Sequence, residues 1–189
     1  LQAQNLPVID ELIMRKLTFL FYLIFLIPNI VTGNFVEIYS LDQMDDPRGF
    51  CIDIRGHKSK AKINSGLQVH TCYSYQGSIA VDQGFNLFKL DKGQFLLPAF
   101  DVCMEADSNT ASASLRLSEC QDEELQIFEW DNNGRIYLTG NTELCLTVAQ
   151  GKSRKGGGGS PVHLMRNLSL ELCGDTLQAF QMWGARSER

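Results

Sequence analysis

Between Gly49 and Phe85 the chain carries Asp53, Gln68, His70, Asp82 and Gln83, interspersed with Cys51 and Cys72. Two carboxylates, two carboxamides and one imidazole make a set suited to recognition. A carboxylate accepts strong charge-assisted hydrogen bonds from neighbouring hydroxyls, an amide both donates and accepts, and a flat ring can cover an apolar C–H face. A sugar offers hydroxyls on its edge and C–H groups on one face, so it matches this inventory. Reactive chemistry finds no comparable set. His57, His70 and His163 lack metal-ligand spacing, no Cys-x-x-Cys occurs, and no Gly-x-Ser-x-Gly elbow marks a nucleophile. Gly151-Lys152-Ser153 lacks the first glycine of a phosphate-binding loop, because Leu146 stands at that position. No cofactor, no metal and no enzyme activity are expected.

The elements that must position these groups form a pattern used three times. LQVHTC (67–72), LRLSEC (115–120) and LSLELC (168–173) each carry Leu five residues before Cys and an apolar residue three before it. Such alternation marks a half-buried strand. An earlier Cys stands in FCIDI, VCMEA and LCLTV, and a Gln-x-Phe follows at Gln83-Gly84-Phe85, Gln126-Ile127-Phe128 and Gln178-Ala179-Phe180. The links through Asp91-Lys92-Gly93 and Asn132-Asn133-Gly134 read as strand, glycine turn, strand. Phe35 to Leu41 is placed to supply the third copy's missing return strand and close the sheet. Without sustained helical periodicity, the pattern predicts an all-β fold of three pseudo-repeats, at about 42–90, 91–132 and 133–185. Pairing within each copy gives Cys51–Cys72, Cys103–Cys120 and Cys145–Cys173, each worth about 3 kcal/mol on the chain-entropy model. The stretch Gly151 to Ser160 contains four consecutive glycines and is expected to be a flexible surface loop. Asn167-Leu168-Ser169 is a formal glycosylation acceptor set between core-facing leucines.

Upstream, Arg15 and Lys16 precede the apolar run Leu17 to Ile27, and Val31-Thr32-Gly33 follows. A basic start, a short apolar core and a small-residue exit predict a signal peptide over 14–33, with 1–13 an upstream extension and 34–189 the exported domain. The run falls short of the ~20 residues that span a bilayer, so no membrane span is expected in the mature chain. All six Cys lie in that exported part, which fits disulfides in a secreted, extracellular protein. The net charge of −5 argues against nucleic acid as a partner.

Three ordered copies of a Cys-containing entry, an alternating strand ending in Cys, and a Gln-x-aromatic close resemble the ricin B-type lectin family, over about residues 35–185. Phe stands where the family's motif has Trp. The resemblance implies a β-trefoil that binds galactose-like or related sugars without metal, in shallow pockets on one or more repeats. It places the carbohydrate-binding positions of the first copy at Asp53, Gln68, His70, Asp82 and Gln83. The matching positions are Glu105, Arg116, Ser118, Leu125 and Gln126 in the second copy, and Thr147, Ser169, Glu171, Leu177 and Gln178 in the third. The first copy alone joins carboxylate, amide, ring and a second polar group, so one working site is expected there. Asp82 departs from the family's Asn. Each residue also has a structural reading: Gln83 recurs in copies that look inactive, and Asp53, between Ile52 and Ile54, fits the solvent face of a strand. Tyr73 and Tyr75 fit a pocket wall or loop packing. The basic run Arg55, Lys58, Lys60 and Lys62 reads as a solvated loop, or as a feature that helps recognise an acidic sugar. The implied partners are glycans on glycoproteins, glycolipids or polysaccharides, with any catalysis left to a separate chain. The alternative function is a trefoil serving as a protein-interaction, adhesion or toxin-associated module.

Overall fold

The computed structural model describes residues 35–187, so the expected signal segment over 14–33 and the expected upstream extension over 1–13 lie outside the described residues. The first copy comprises β1 (Phe35–Ser40), β2 (Phe50–Ile54), β3 (Leu67–Thr71) and β4 (Phe85–Asn86). The second comprises β5 (Leu96–Leu97), β6 (Val102–Ala106), β7 (Leu115–Ser118) and β8 (Phe128–Trp130). The third runs β9 (Ile136–Leu138), β10 (Asn141–Val148), β11 (Arg154–Lys155), β12 (Leu164–Arg166), β13 (Leu168–Leu172) and β14 (Trp183–Ser187), with β11 and β12 as an insertion.

In each copy one antiparallel pair carries the cysteines in the same register. Cys51 faces His70, Cys103 faces Ser118 and Cys145 faces Glu171, each the residue two before the second Cys. This register brings the second Cys into bonding reach. All three within-copy disulfides form, with sequence separations of 21, 17 and 28.

First and last strands of each copy also meet: Val36 lies opposite Phe85, Gln94 opposite Ile127, and Arg135 opposite Met182. The second and third copies are joined by the β8–β9 hairpin. The third and first are joined by β14 on β1, which sets Trp183 opposite Ser40 and Ser187 opposite Val36. The N-terminal strand therefore completes the third copy, and the chain has the threefold β-trefoil arrangement. Phe95 sits edge-on to Phe85 (6.1 Å) and Phe128 (5.5 Å), the geometry aromatic quadrupoles favour, and Trp183 belongs to the same core.

The link between the first and second copies departs from the hairpin its sequence suggested. Leu87–Leu90 forms a helical turn, α1, capped by Asn86, whose Oδ1 accepts from the Lys89 N–H at 3.1 Å. An Asn ahead of Leu-Phe-Lys-Leu is a good N-cap, and this local bond wins over strand pairing. Gly93 still turns the chain: its φ is +78°, and a Cβ there would sit 2.5 Å from the Phe128 carbonyl oxygen.

The Gly-rich stretch also departs from the expected free loop. β11 pairs with β12, and β12 pairs with β3, so a third-copy hairpin extends the first copy's sheet in the order β11-β12-β3-β2-β1-β14. Arg166, buried on β12, anchors it by donating to Asp45 Oδ1 (2.8 Å), Ser153 Oγ (2.8 Å) and the Ala149 carbonyl (2.9 Å). The glycines cluster at the hairpin's exposed tip, where no strand is needed. Asn167 is exposed beside it, its Oδ1 accepting from Arg154 at 3.0 Å. Every residue of β2 and β3 is buried, so Asp53, held by Gln68 and Gln83, does not occupy a solvent-facing strand position. Among the described residues, no helix is long and apolar enough to cross a membrane.

Candidate functional site

The recurring glutamine works as a latch. Gln83 Oε1 accepts from the Tyr73 N–H at 3.0 Å, while its Nε2 donates to Asp53 Oδ2 (3.2 Å) and the Thr71 carbonyl (3.5 Å). Gln126 repeats this with the Gln121 N–H (2.7 Å), Glu105 Oε2 (2.8 Å) and the Glu119 carbonyl (2.9 Å). In the third copy the latch is Gln181, which binds the Gly174 N–H (3.0 Å), Thr147 Oγ1 (2.9 Å) and the Leu172 carbonyl (3.0 Å). Each latch ties the residues flanking the second Cys to the residue two past the first Cys. Gln178, the position the cysteine spacing suggested, is exposed. The third motif is therefore Gln181-Met182-Trp183, with Trp183 buried and donating from Nε1 to the Leu146 carbonyl at 2.9 Å. Its closing position is Phe180, not Leu177. A helical turn, α2 (Gln178–Gln181), lengthens the approach and displaces the motif from the expected spacing.

The five first-copy candidates come together, and all five are buried. Asp53 and Gln68 face each other across β2 and β3, with Gln68 Nε2 donating to Asp53 Oδ1 at 3.0 Å. Asp82 accepts from the Lys58 N–H through Oδ2, while its buried Oδ1 has no hydrogen-bond partner among the described residues. Burial pushes the Asp53 acid well above the usual carboxylate range, and the nearby Asp82 adds to the shift. Burial raises Asp82 as well. These groups hold backbone rather than present open faces: Gln83 fixes Tyr73, and Asp82 fixes Lys58.

His70, although buried, lies where the lining of a cleft begins. Its Nδ1 lies 2.9 Å from the Thr71 carbonyl, which can only accept, so Nδ1 carries the proton. Burial lowers the His70 pKa to about 4, which leaves a neutral ring at neutral pH. That ring stacks on Tyr73 (5.0 Å between centroids, 24°) and on His163 (4.9 Å, 20°). His163 arrives from the third copy, just ahead of β12, and its Nδ1 lies 2.9 Å from Thr71 Oγ1. Lys58 Nζ lies 5.2 Å from the Tyr73 ring centroid. Together with His57 and Gln76, these groups line a cleft of about 560 Å³, whose other wall is the glycine-rich tip of the inserted hairpin. Sequence reasoning missed His163, which no comparison of copies could find because it comes from the insertion. Lys58 belongs to the basic run that reads from sequence as a solvated loop or as an aid to recognising an acidic sugar, and it lines the cleft.

The other two copies offer less. Glu105 is taken by Arg116, Ser118 and Gln126. Burial opposes its ionisation, but those hydrogen bonds prevail and hold its carboxyl below the usual range. Leu125 sits at the closing position. In the third copy Thr147 donates to the Cys145 carbonyl at 2.7 Å, Ser169 donates to Glu171 at 2.7 Å, and the adjoining hollow has no ring in its lining. Glu37, Cys51 and Cys72 lie close enough to share a metal ion, but both sulfurs are spent in a disulfide.

Residues 42–171 match the ricin-type beta-trefoil lectin domain family. No curated protein sequence matches the chain. Among solved structures, the Vibrio vulnificus hemolysin/cytolysin β-trefoil lectin with N-acetyl-D-lactosamine bound is 17% identical, covering 84% of this chain and 97% of that one, with a TM-score of 0.50. The earthworm R-type lectin C-half in complex with GalNAc is 13% identical, covering 82% and 99%, with a TM-score of 0.57. An earthworm lectin C-terminal domain mutant in complex with 6'-sialyllactose is 15% identical, covering 82% and 99%, with a TM-score of 0.53. At these identities the likeness is one of fold.

Proposed function

The chain belongs to the ricin-type β-trefoil lectin domain family, and on that premise we propose that it is a non-catalytic carbohydrate-binding module with one working site, in the first repeat. The observation that carries this reading is the ring wall of His70, Tyr73 and His163 beside open polar groups; the positions matching His70 in the second and third repeats are Ser118 and Glu171, which carry no ring. In this reading the rings cover a sugar's apolar face, while Lys58, His57 and Gln76 reach its hydroxyls. Asp53, Gln68, Asp82 and Gln83 hold that lining in place from beneath. The ligand class is galactose-like or related glycans, in keeping with the saccharides bound by the similar lectins. The chemistry of the lining asks for no metal. The protein acts outside the cell, where its disulfides persist, on glycoprotein, glycolipid or polysaccharide glycans. A single shallow site supports binding of about 4–7 kcal/mol, roughly millimolar to tens of micromolar, and clustering supplies useful strength.

A glycan-array screen of the wild type and His70→Ala, each with and without a chelator, tests the reading. Binding that survives chelation and is lost in a folded His70→Ala variant supports it. A folded wild type that binds no glycan overturns it, and loss on chelation overturns the metal-free part.

A further inference from the structure

The cleft is built from two repeats, and its charge is one-sided. His57 and Lys58 of the first-repeat loop and His163 of the third-repeat hairpin line it, while Arg55 and Lys155 adjoin the lining glycines Gly56 and Gly156 in sequence, and Arg154 lies opposite the lining residue Met165. The nearby carboxylates are already engaged or buried. Asp45 pairs with Arg166 at 2.8 Å, Asp46 pairs with Arg48 at 2.6 Å, and Asp53 and Asp82 lie beneath the lining. Among the described residues, no carboxylate forms an ion pair with Arg55, Lys58, Arg154 or Lys155. Burial lowers the pKa of Arg55, and the like charge of Arg154 adds to the shift while Asp53 opposes it. The whole chain carries −5, so this concentration of cations is not a by-product of a basic composition. Cations held near one another in this way stabilise a bound anion.

We propose that the cleft is a two-repeat site for an anionic saccharide, one bearing a sulfate or a carboxylate. Lys58 meets the anion within the cleft, Arg55, Arg154 and Lys155 add positive charge at its margin, and His163 completes the ring wall. The proposal rests on the lectin reading above and narrows its ligand class. His163 and His70 serve as neutral rings in it, since burial lowers both of their pKa values. The hairpin makes the site depend on the third repeat, although that repeat's own hollow stays unused.

The test measures binding of the purified protein to three immobilised probes: neutral, 6-O-sulfated and sialylated lactosamine, each at low and high salt. With several exposed cations contributing a few tenths of a kcal/mol each, an anionic probe should bind about tenfold more tightly than the neutral one at low salt. High salt should erase most of that margin. Lys58→Ala should weaken binding to all three probes and, beyond that, lower the preference for the anionic probes about threefold. His163→Ala should weaken binding to every probe it shares with the wild type, whereas Lys92→Ala, outside the cleft, should change nothing. Thermal melts establish that each variant is folded. If His163→Ala is unfolded, His163→Gln, which keeps a partner for Thr71, carries the same expectation. Equal affinity for neutral and anionic probes overturns the ligand class and leaves the lectin reading standing. Unchanged binding in a folded His163 variant overturns the two-repeat site. Failure of the wild type to bind any probe, or any glycan on a wider array, overturns both.

Discussion

Replacing Gln181 with Ala removes three hydrogen bonds at once and leaves two backbone groups, the Gly174 N–H and the Leu172 carbonyl, without their partner. Thr147 keeps its own bond to the Cys145 carbonyl, so it is not stranded. A buried polar group left unpaired costs about 1–3 kcal/mol, and Gly174 is only partly covered, which gives a loss of about 2–4 kcal/mol for the variant. In a domain of this size that corresponds to roughly 4–16 °C in melting temperature. Gln178→Ala is the control. Gln178 is exposed and opens the α2 turn, so its loss should stay within about 0.5 kcal/mol. Guanidinium denaturation of both variants, with the disulfides intact, separates the two residues. Equal losses, or a larger loss for Gln178→Ala, would refute the assignment of the latch and with it the threefold equivalence of Gln83, Gln126 and Gln181.

Acidification should probe His70. Its folded pKa is about 4 against 6.5 free, so the unfolded chain binds the extra proton first, and stability falls as pH drops from about 6.5 towards 4, by up to about 3 kcal/mol. Asp53 has the opposite sign: its raised acid stabilises the fold at low pH, and that contribution is lost as pH rises through the folded pKa. Comparing wild type with His70→Gln isolates the histidine; the variant should lose less on acidification, and an identical drop would count against a buried neutral ring. Gly93→Ala forces a side chain into a positive-φ position against the Phe128 carbonyl and should cost at least about 2 kcal/mol. Gly157→Ala meets nothing within 4 Å and should be neutral by the same denaturation assay. Replacing Cys145 and Cys173 together by Ala opens the longest bridged segment, with a separation of 28, and should cost about 3 kcal/mol; an unchanged midpoint would mean that the bridge does not constrain the unfolded chain.

The threefold scaffold could be read from the chain because its signals are local and repeated. The alternation before Cys72, Cys120 and Cys173 determines which side chains face inward, and the cysteine order then implies the pairing. Phe35 to Leu41 could be assigned as the closing strand because the third copy visibly lacked one. Three features escaped. The cap at Asn86 is a single side-chain bond that outweighs a hairpin pattern. The α2 turn shifts the last Gln-x-aromatic by three residues, although Gln181-Met182-Trp183 stood in plain view and matched the Trp form of the motif. The hairpin around the glycines pairs across repeats, which no comparison of one copy with another can show. That last feature matters most for the site, because it sets Met165 opposite His70 and brings His163 against the ring wall.

The most direct measurement of the central claim is an NMR titration of the labelled protein with the best glycan from an array. A single saturable site, with amide shifts confined to residues 55–60, 70–76 and 156–163 and abolished in His70→Ala, is the result expected of one working site in the first repeat. Shifts centred on Glu105 and Ser118, or on Thr147 and Glu171, would place binding in another repeat and contradict it. A spectrum unmoved by any glycan would contradict the lectin reading itself.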